Sequence, residues 1–255
     1  MNVTTILFSP TGGTKKIACC LSETLGMPKQ TIDLMNRNTD LSSIQFTDED
    51  TVIIAVPSFA GRVPGLAASR LSVIHGNGAR CILVCVYGNR AYEDTLVELQ
   101  DLAEQAGFQV SAAVCAIAEH SIMHQYAAGR PDSDDYARLR DFGHKIRTKL
   151  ESSAGAASVP ALPGNRPYKP GGAATMIPVP DEKCTGCGLC ANQCPTGAIS
   201  QENPAKINTE ACICCMRCVS VCPQNSRKPD PALVAALTER LKAVCSQRKE
   251  NELFL

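Results

Sequence analysis

A parallel α/β sheet followed by a small module held together by cysteine chemistry is the architecture that this 255-residue sequence predicts. Three observations predict it. Short apolar runs alternate with helical patterns over residues 1–150, residues 151–180 are rich in chain breakers, and nine of the fifteen cysteines fall between Cys184 and Cys222. Strand–helix alternation implies a parallel sheet with helices on both faces and ligands at the carboxyl ends of the strands. The length suits two units better than one, with enough chain to bury a core.

Strands are predicted at residues 3–8, 31–34, 51–56, 81–86 and 109–117. The third and fourth are apolar enough to be buried on both faces. Helical spacing links Ile17, Leu21 and Leu25 before Gly26, then Leu96, Leu99, Leu102 and Ala106 before Gly107, then Leu139, Phe142, Ile146 and Leu150. Pro64 suits the first turn of a further helix running to about residue 74. Asp132, Asp134 and Asp135 read as a solvated helix start at the favourable end of the dipole. Six prolines and four glycines within 151–180 predict a linker or a wrapped, extended segment. Leu233, Leu237 and Leu241 predict one helix over roughly 231–248. The division is therefore 1–150, a linker 151–180, a module 181–227 and a C-terminal helix within 228–255.

Lys plus Arg and Asp plus Glu each number 25. The net charge of zero lacks the basic footprint of a nucleic-acid binder, and the three stretches before, within and after the linker carry −2, +1 and +1. Apolar runs such as 81–86 fall far short of the roughly 18 residues of a membrane span. The N-terminus lacks the basic start and apolar stretch of a secretory signal. A cytoplasmic protein without nucleic-acid or membrane partners is expected, and in a reducing compartment clustered cysteines point to metal rather than disulfides.

Cys184, Cys187, Cys190 and Cys194 form C-x2-C-x2-C-x3-C followed by Pro195, and the pattern repeats 28 residues later as Cys212, Cys215, Cys218 and Cys222 followed by Pro223. Three cysteines at this spacing wrap one corner of a cubane while the fourth is carried away to the other cluster. Cys184, Cys187, Cys190 and Cys222 are then expected to hold one [4Fe-4S] cluster, and Cys212, Cys215, Cys218 and Cys194 the second. A zinc site needs only four ligands and often uses two C-x2-C pairs; eight cysteines in this order, with proline after each fourth, favour clusters. Cys214 breaks the 28-residue register and is read as a bystander. Cys19, Cys20, Cys81, Cys85, Cys115 and Cys245 read as small buried apolar side chains. Residues 181–225 resemble the bacterial-type two-cluster ferredoxins, which implies a pseudo-twofold fold and low-potential one-electron transfer. The second half departs from that pattern after its proline, with Gln224, Asn225, Ser226 and Arg227 where the first has Thr196, Gly197, Ala198 and Ile199. This puts the last hairpin strand in doubt.

The first strand runs into Ser9, Pro10, Thr11, Gly12, Gly13 and Thr14 and then a helix, so hydroxyls and free amides at a helix N-terminus form a cradle for a phosphate. The third strand is followed by Pro57, Ser58, Phe59, Ala60, Gly61 and Arg62, and the fourth by Tyr87, Gly88, Asn89, Arg90, Ala91 and Tyr92. Both loops fall at the same sheet edge. Phe59 and Tyr92 are expected to sandwich a planar ring while the glycines let backbone amides reach its rim. Together these features resemble flavodoxin over residues 1–150, which implies a doubly wound five-stranded sheet of order 2-1-3-4-5 and bound FMN. The whole chain is similar to flavodoxin-ferredoxin fusion proteins. Flavodoxins commonly surround the ring with acidic residues, whereas the nearest charges here are Arg62 and Arg90. Positive charge there would stabilise the reduced flavin anion, predicting electron flow from iron–sulfur to FMN. His120, after the fifth strand, is a candidate proton donor; His75, His124 and His144 read as structural. The expected function is electron transfer between two [4Fe-4S] clusters and FMN, linking a ferredoxin or reductase donor to a protein or small-molecule acceptor. A flavin-dependent reductase working over Arg62, Arg90 and His120, and an iron–sulfur sensor without flavin, are the alternatives.

Overall fold

The computed structural model describes residues 2–152, 159–172 and 175–255. Strands β1 (Asn2–Leu7), β2 (Met27–Asp33), β3 (Thr51–Pro57), β4 (Arg80–Tyr87) and β5 (Gln109–Ile117) pair in parallel in the order 2-1-3-4-5. Helices α1 (Gly13–Leu25), α2 (Gly65–Leu71), α3 (Thr95–Gln105) and α4 (Ser133–Glu151) cover the sheet. Because side chains alternate across a strand, Ile53 joins the core beneath α1 and α4 while its neighbour Ile54 joins the core beneath α2 and α3. Both are fully buried, and burying each contributes about 1.5–3 kcal/mol. This two-sided burial is why β3 and β4 read as unbroken apolar runs. Edge strand β2 starts four residues earlier than its pattern suggested, since only Ile32 is buried in it and the hydrophobic signal is correspondingly weak. Pro64 is the N-cap of α2 rather than part of its first turn.

Two corrections come from the chain's far end. After α7 (Pro231–Cys245), residues Glu252–Phe254 form a strand, β8, that pairs antiparallel with β5. The expected five-stranded sheet is therefore six-stranded, in the order β2-β1-β3-β4-β5-β8. Three residues carry too little period to be seen in a sequence. Asp135 is not solvated either. It is 2% exposed and paired with buried Arg130, while Asp132 caps α4 by accepting from the amides of Asp134 and Asp135.

Residues 159–172, within the predicted linker, wrap the sheet unit. Residues 153–158 and 173–174 lie outside the described residues. Asp94 does not cap α3 with its side chain; its carboxylate instead accepts from the amides of Asn165 (2.8 Å) and Lys169 (2.7 Å). Gly164 crosses Val97 so closely that a Cβ would lie 2.3 Å from Cγ1. Arg166 and Tyr168 both donate to Asp101.

The second module contains β6 (Val179–Pro180), the single-turn helices α5 (Leu189–Asn192) and α6 (Arg217–Ser220), and β7 (Arg227–Lys228). β6 and β7 pair antiparallel, so the last hairpin strand does form. Its apolar core is Cys190, Ala191, Cys194, Ala198 and Ile199, too little to stabilise a module of this size by burial alone. It docks through α6, where Arg217 Nη1 and Ser220 Oγ each donate to the Pro10 carbonyl at 3.2 Å. Among the described residues no helix is long and apolar enough to cross a membrane.

Candidate cofactor sites

The repeat folds into two cysteine-lined cavities. One, with about 330 Å³ of open space, is lined by Cys184, Cys187, Cys190 and Cys222. The other, with about 370 Å³, is lined by Cys194, Cys212, Cys215 and Cys218, with Cys214 beside them. Each cavity thus draws three cysteines from one motif and the fourth from the other. Thiols spaced around a cavity suit a polynuclear core with one iron per thiolate. Cys184 and Cys187 are exposed, so the first cavity opens to the surface.

Backbone conformation shows how the loops wrap. Gly186, Gly188 and Gly197 have φ of 69°, 73° and 68°, and 28 residues later Cys214, Met216 and Asn225 have φ of 51°, 62° and 50°. The second motif adopts the same left-handed turns although it carries side chains there, at a cost of about 1–2 kcal/mol per residue. Cys214 is therefore the counterpart of a glycine. Its hydrogen bond to Cys212 lowers that thiol to about 6. Burial opposes ionisation of Cys222, but the amides of Ser226, Gln224 and Arg227 outweigh it and lower the thiol. Cys214→Gly is expected to keep its full iron content and to change stability between zero and about +1 kcal/mol, strain relief being offset by a looser unfolded chain. Iron assay and urea unfolding check this, and any loss of iron would make Cys214 a ligand.

At the sheet's ligand edge, the amides of Thr11, Gly12, Gly13 and Thr14 have no hydrogen-bond acceptor among the described residues. Ser9 Oγ takes the amide of Lys15 at 2.9 Å. Gly12 is left-handed at φ 93°, and a Cβ on Gly13 would lie 2.9 Å from that of Ala118. Free amides at the start of the 13-residue α1 fit a phosphate.

The β3 loop leaves β3 through Pro57. Ser58 Oγ contacts Thr95 Oγ1 at 2.7 Å, and Phe59 and Arg62 close a turn by exchanging backbone hydrogen bonds. Ala60 and Gly61 are left-handed within it. Phe59 stands edge-on to Phe8 with ring centroids 6.4 Å apart. Tyr92, the expected second wall of a ring sandwich, is turned away. It meets Tyr87 edge-on at 5.3 Å and donates to Glu252 of β8 at 2.8 Å.

The arginines also differ from expectation. Arg62 makes a bidentate pair with Glu98 at 2.7 and 2.8 Å and lies over the Tyr168 ring; Arg90 does the same with Glu93 at 2.9 and 2.6 Å. Each guanidinium has its own counter-ion, so neither supplies free positive charge to a flavin, and the inferred rise in flavin potential loses its basis. Asn89 is buried and donates to the carbonyls of Cys245 and Gln247, anchoring the C-terminal segment.

His120 packs so tightly on Gly88 that a Cβ there would lie 2.7 Å from its ring. Its Nδ1 accepts from the amides of Ile122 and Met123, both at 3.1 Å. Burial, aided by the charges of His124 and Arg90, lowers it from 6.5 to about 4. At neutral pH it is uncharged, which corrects the expectation of a proton donor titrating near neutrality. Below pH 6.5 the unfolded chain takes a proton that the folded chain refuses. The contribution of His120 is therefore complete above pH 6.5 and lost as pH falls towards 4, up to about 3 kcal/mol. Urea unfolding at pH 7 and pH 5 should show a steeper loss for wild type than for His120→Gln; equal slopes would refute the assignment.

Arg217 and Ser220 carry no signal in the sequence, whereas Arg227 stands out only as a departure from the repeat, 28 residues after Ile199.

Residues 177–200, which contain the whole first cysteine motif, match the 4Fe-4S binding domain family. A 44-residue stretch is 46% identical to one component of the ion-translocating oxidoreductase complex of Methanosarcina acetivorans, covering 17% of each chain. A 36-residue stretch is 44% identical to an uncharacterised protein of Methanocaldococcus jannaschii, covering 14% of this chain and 17% of that one. The matched stretches thus span less than a fifth of these curated relatives. Similar solved structures include a flavodoxin of Streptococcus pneumoniae TIGR4 at 18% identity, covering 58% of this chain and 99% of the other, TM-score 0.44. A flavodoxin from the domain Archaea is 13% identical, covering 60% and 100%, TM-score 0.43. The apo form of an NADH:FMN oxidoreductase is 17% identical, covering 62% and 94%, TM-score 0.45. The chain joins a doubly wound parallel sheet to a segment that matches the 4Fe-4S binding domain family.

Proposed function

We propose that this chain is an iron–sulfur flavoprotein that carries electrons, with a [4Fe-4S] cluster in each cysteine cavity and FMN at the edge of the sheet, serving a ferredoxin-type donor and a protein or small-molecule acceptor. The observation that carries the reading is the crossed gathering of eight cysteines into two sets of four. When bound, clusters supply one-electron oxidation and reduction, and a flavin joins these to two-electron chemistry. The rest is the work of the chain's own residues. The amides of Thr11, Gly12, Gly13 and Thr14 are free for a phosphate, and Phe59 offers an aromatic edge nearby in the neighbouring loop. Arg217 and Ser220 tie α6, which carries Cys218, to Pro10 of that phosphate loop. In this reading the second cavity passes electrons to the flavin, and the first, with two exposed cysteines, takes them from an external donor.

Anoxic purification followed by iron, sulfide and flavin assay tests the reading. Two cubanes and one flavin require about eight irons and one FMN per chain. Colourless protein, or protein containing zinc, would end the proposal; eight irons without flavin would leave the sensor alternative standing in its place.

A further inference from the structure

The repeat places Arg227 where the first half has Ile199, a residue of the small apolar core. Arg227 is nevertheless 2% exposed. Its guanidinium donates to two backbone carbonyls, that of Pro178 at 3.2 Å and that of Pro204, and its Nε has no partner among the described residues. Arg130, the other buried arginine among the described residues, is paired with Asp135, whereas none of the described carboxylates pairs with Arg227. A guanidinium stays protonated in proteins, and an uncompensated buried charge is strongly unfavourable. Some anion must balance it.

Among the described residues the candidates around it are sulfurs. Arg227 lines the first cavity together with Cys184, Cys187, Cys190 and Cys222. We propose that Arg227 is the internal counter-cation of the bound iron–sulfur groups, held against the first cavity to offset the negative charge of a four-thiolate cluster and to make that cluster easier to reduce. The inference rests on the reading that the cavities hold [4Fe-4S] clusters. In the step concerned the oxidised cluster takes one electron from a one-electron donor of the ferredoxin class; no bond forms or breaks and no proton moves. The cluster becomes more negative by one charge, and a fixed cation nearby in a medium of low dielectric favours the more negative form. Arg227 touches no substrate and is a positioning and tuning residue.

The test uses the full-length, cluster-loaded protein with Arg227→Gln and Arg227→Lys, reading iron content and midpoint potentials in an EPR-monitored titration. Arg227→Gln is expected to lower the midpoint of the first-cavity cluster by at least a tenfold change in its reduction equilibrium, about 59 mV for one electron. Arg227→Lys, which keeps the charge, is expected to stay closer to wild type. Loss of iron from the Gln variant alone would also support the proposal, since charge would then be needed to retain the cluster. Equal midpoints in wild type and Arg227→Gln, or equal loss of iron from both variants, would overturn it. A wild-type protein that binds no iron would instead overturn the reading on which it rests.

Discussion

Cys222→Ala is expected to lose about half of the protein's iron, about four atoms of eight, and to leave the same residual EPR spectrum as Cys184→Ala. Cys222 belongs by sequence to the second motif, but its thiol lines the cavity of Cys184, Cys187 and Cys190. Cys194→Ala should in the same way match Cys212→Ala, because Cys194 lines the other cavity. The result is diagnostic because each motif's four cysteines are contiguous enough to suggest a self-contained site. Were that the arrangement, Cys222→Ala would match Cys212→Ala instead, and the crossed assignment would fail. Full loss of iron from every single variant would show that the two sites assemble as one unit, which the small core of the module makes physically reasonable. In that event the residual spectrum gives no information, and chemical reconstitution of each variant with iron and sulfide supplies the comparison.

Asp135→Ala should destabilise the sheet unit by about 3–5 kcal/mol, as expected when one partner of a buried ion pair is removed and the other is left charged. Arg130 and Asp135 have side chains 4% and 2% exposed. The Asp135 carboxylate also accepts from the Asp132 amide at 3.0 Å and from Asn251 Nδ2 at 3.0 Å. Loss of the carboxylate therefore strands a guanidinium and releases the residue that precedes β8, since Asn251 Oδ1 in turn holds the amide of Ile117 at the end of β5. Two measurements check this: the urea unfolding midpoint, and the rate at which a protease trims the last ten residues. By contrast Asp141→Ala, which breaks the exposed i,i+4 pair with Lys145, should cost only about 0.3–0.5 kcal/mol. Comparable losses from the two variants would mean that the buried network is not what fastens the tail.

The five parallel strands and the helices between them were legible because local patterns state them. Residues buried on both faces give unbroken apolar runs, and helices with one buried face repeat at three and four residues. The cysteine sets were legible for a different reason, a 28-residue duplication that preserves both spacing and proline. Register also set Cys214 apart from the eight repeated cysteines, and its left-handed backbone matches that of Gly186. The loop of free amides could be placed because a strand, a glycine pair and a helix start follow one another directly in the chain.

What the chain alone determined is thus whatever depends on neighbours a few residues apart or on an exact repeat: strand order by resemblance, the two sets of four cysteines, and the position of the free amides of α1. Only the folded molecule decided which charges are free. Arg62 meets Glu98, Tyr92 meets Glu252, and Asp135 meets both Arg130 and Asn251, and most of these partners are separated by tens to more than a hundred residues. Such pairings leave no periodicity behind, because an ion pair needs one correctly placed atom on each side rather than a patterned face. The same holds for β8, three residues whose stability comes from the edge of β5 that they cover, and for Arg227, whose lack of a carboxylate can be known only when everything around it is in place.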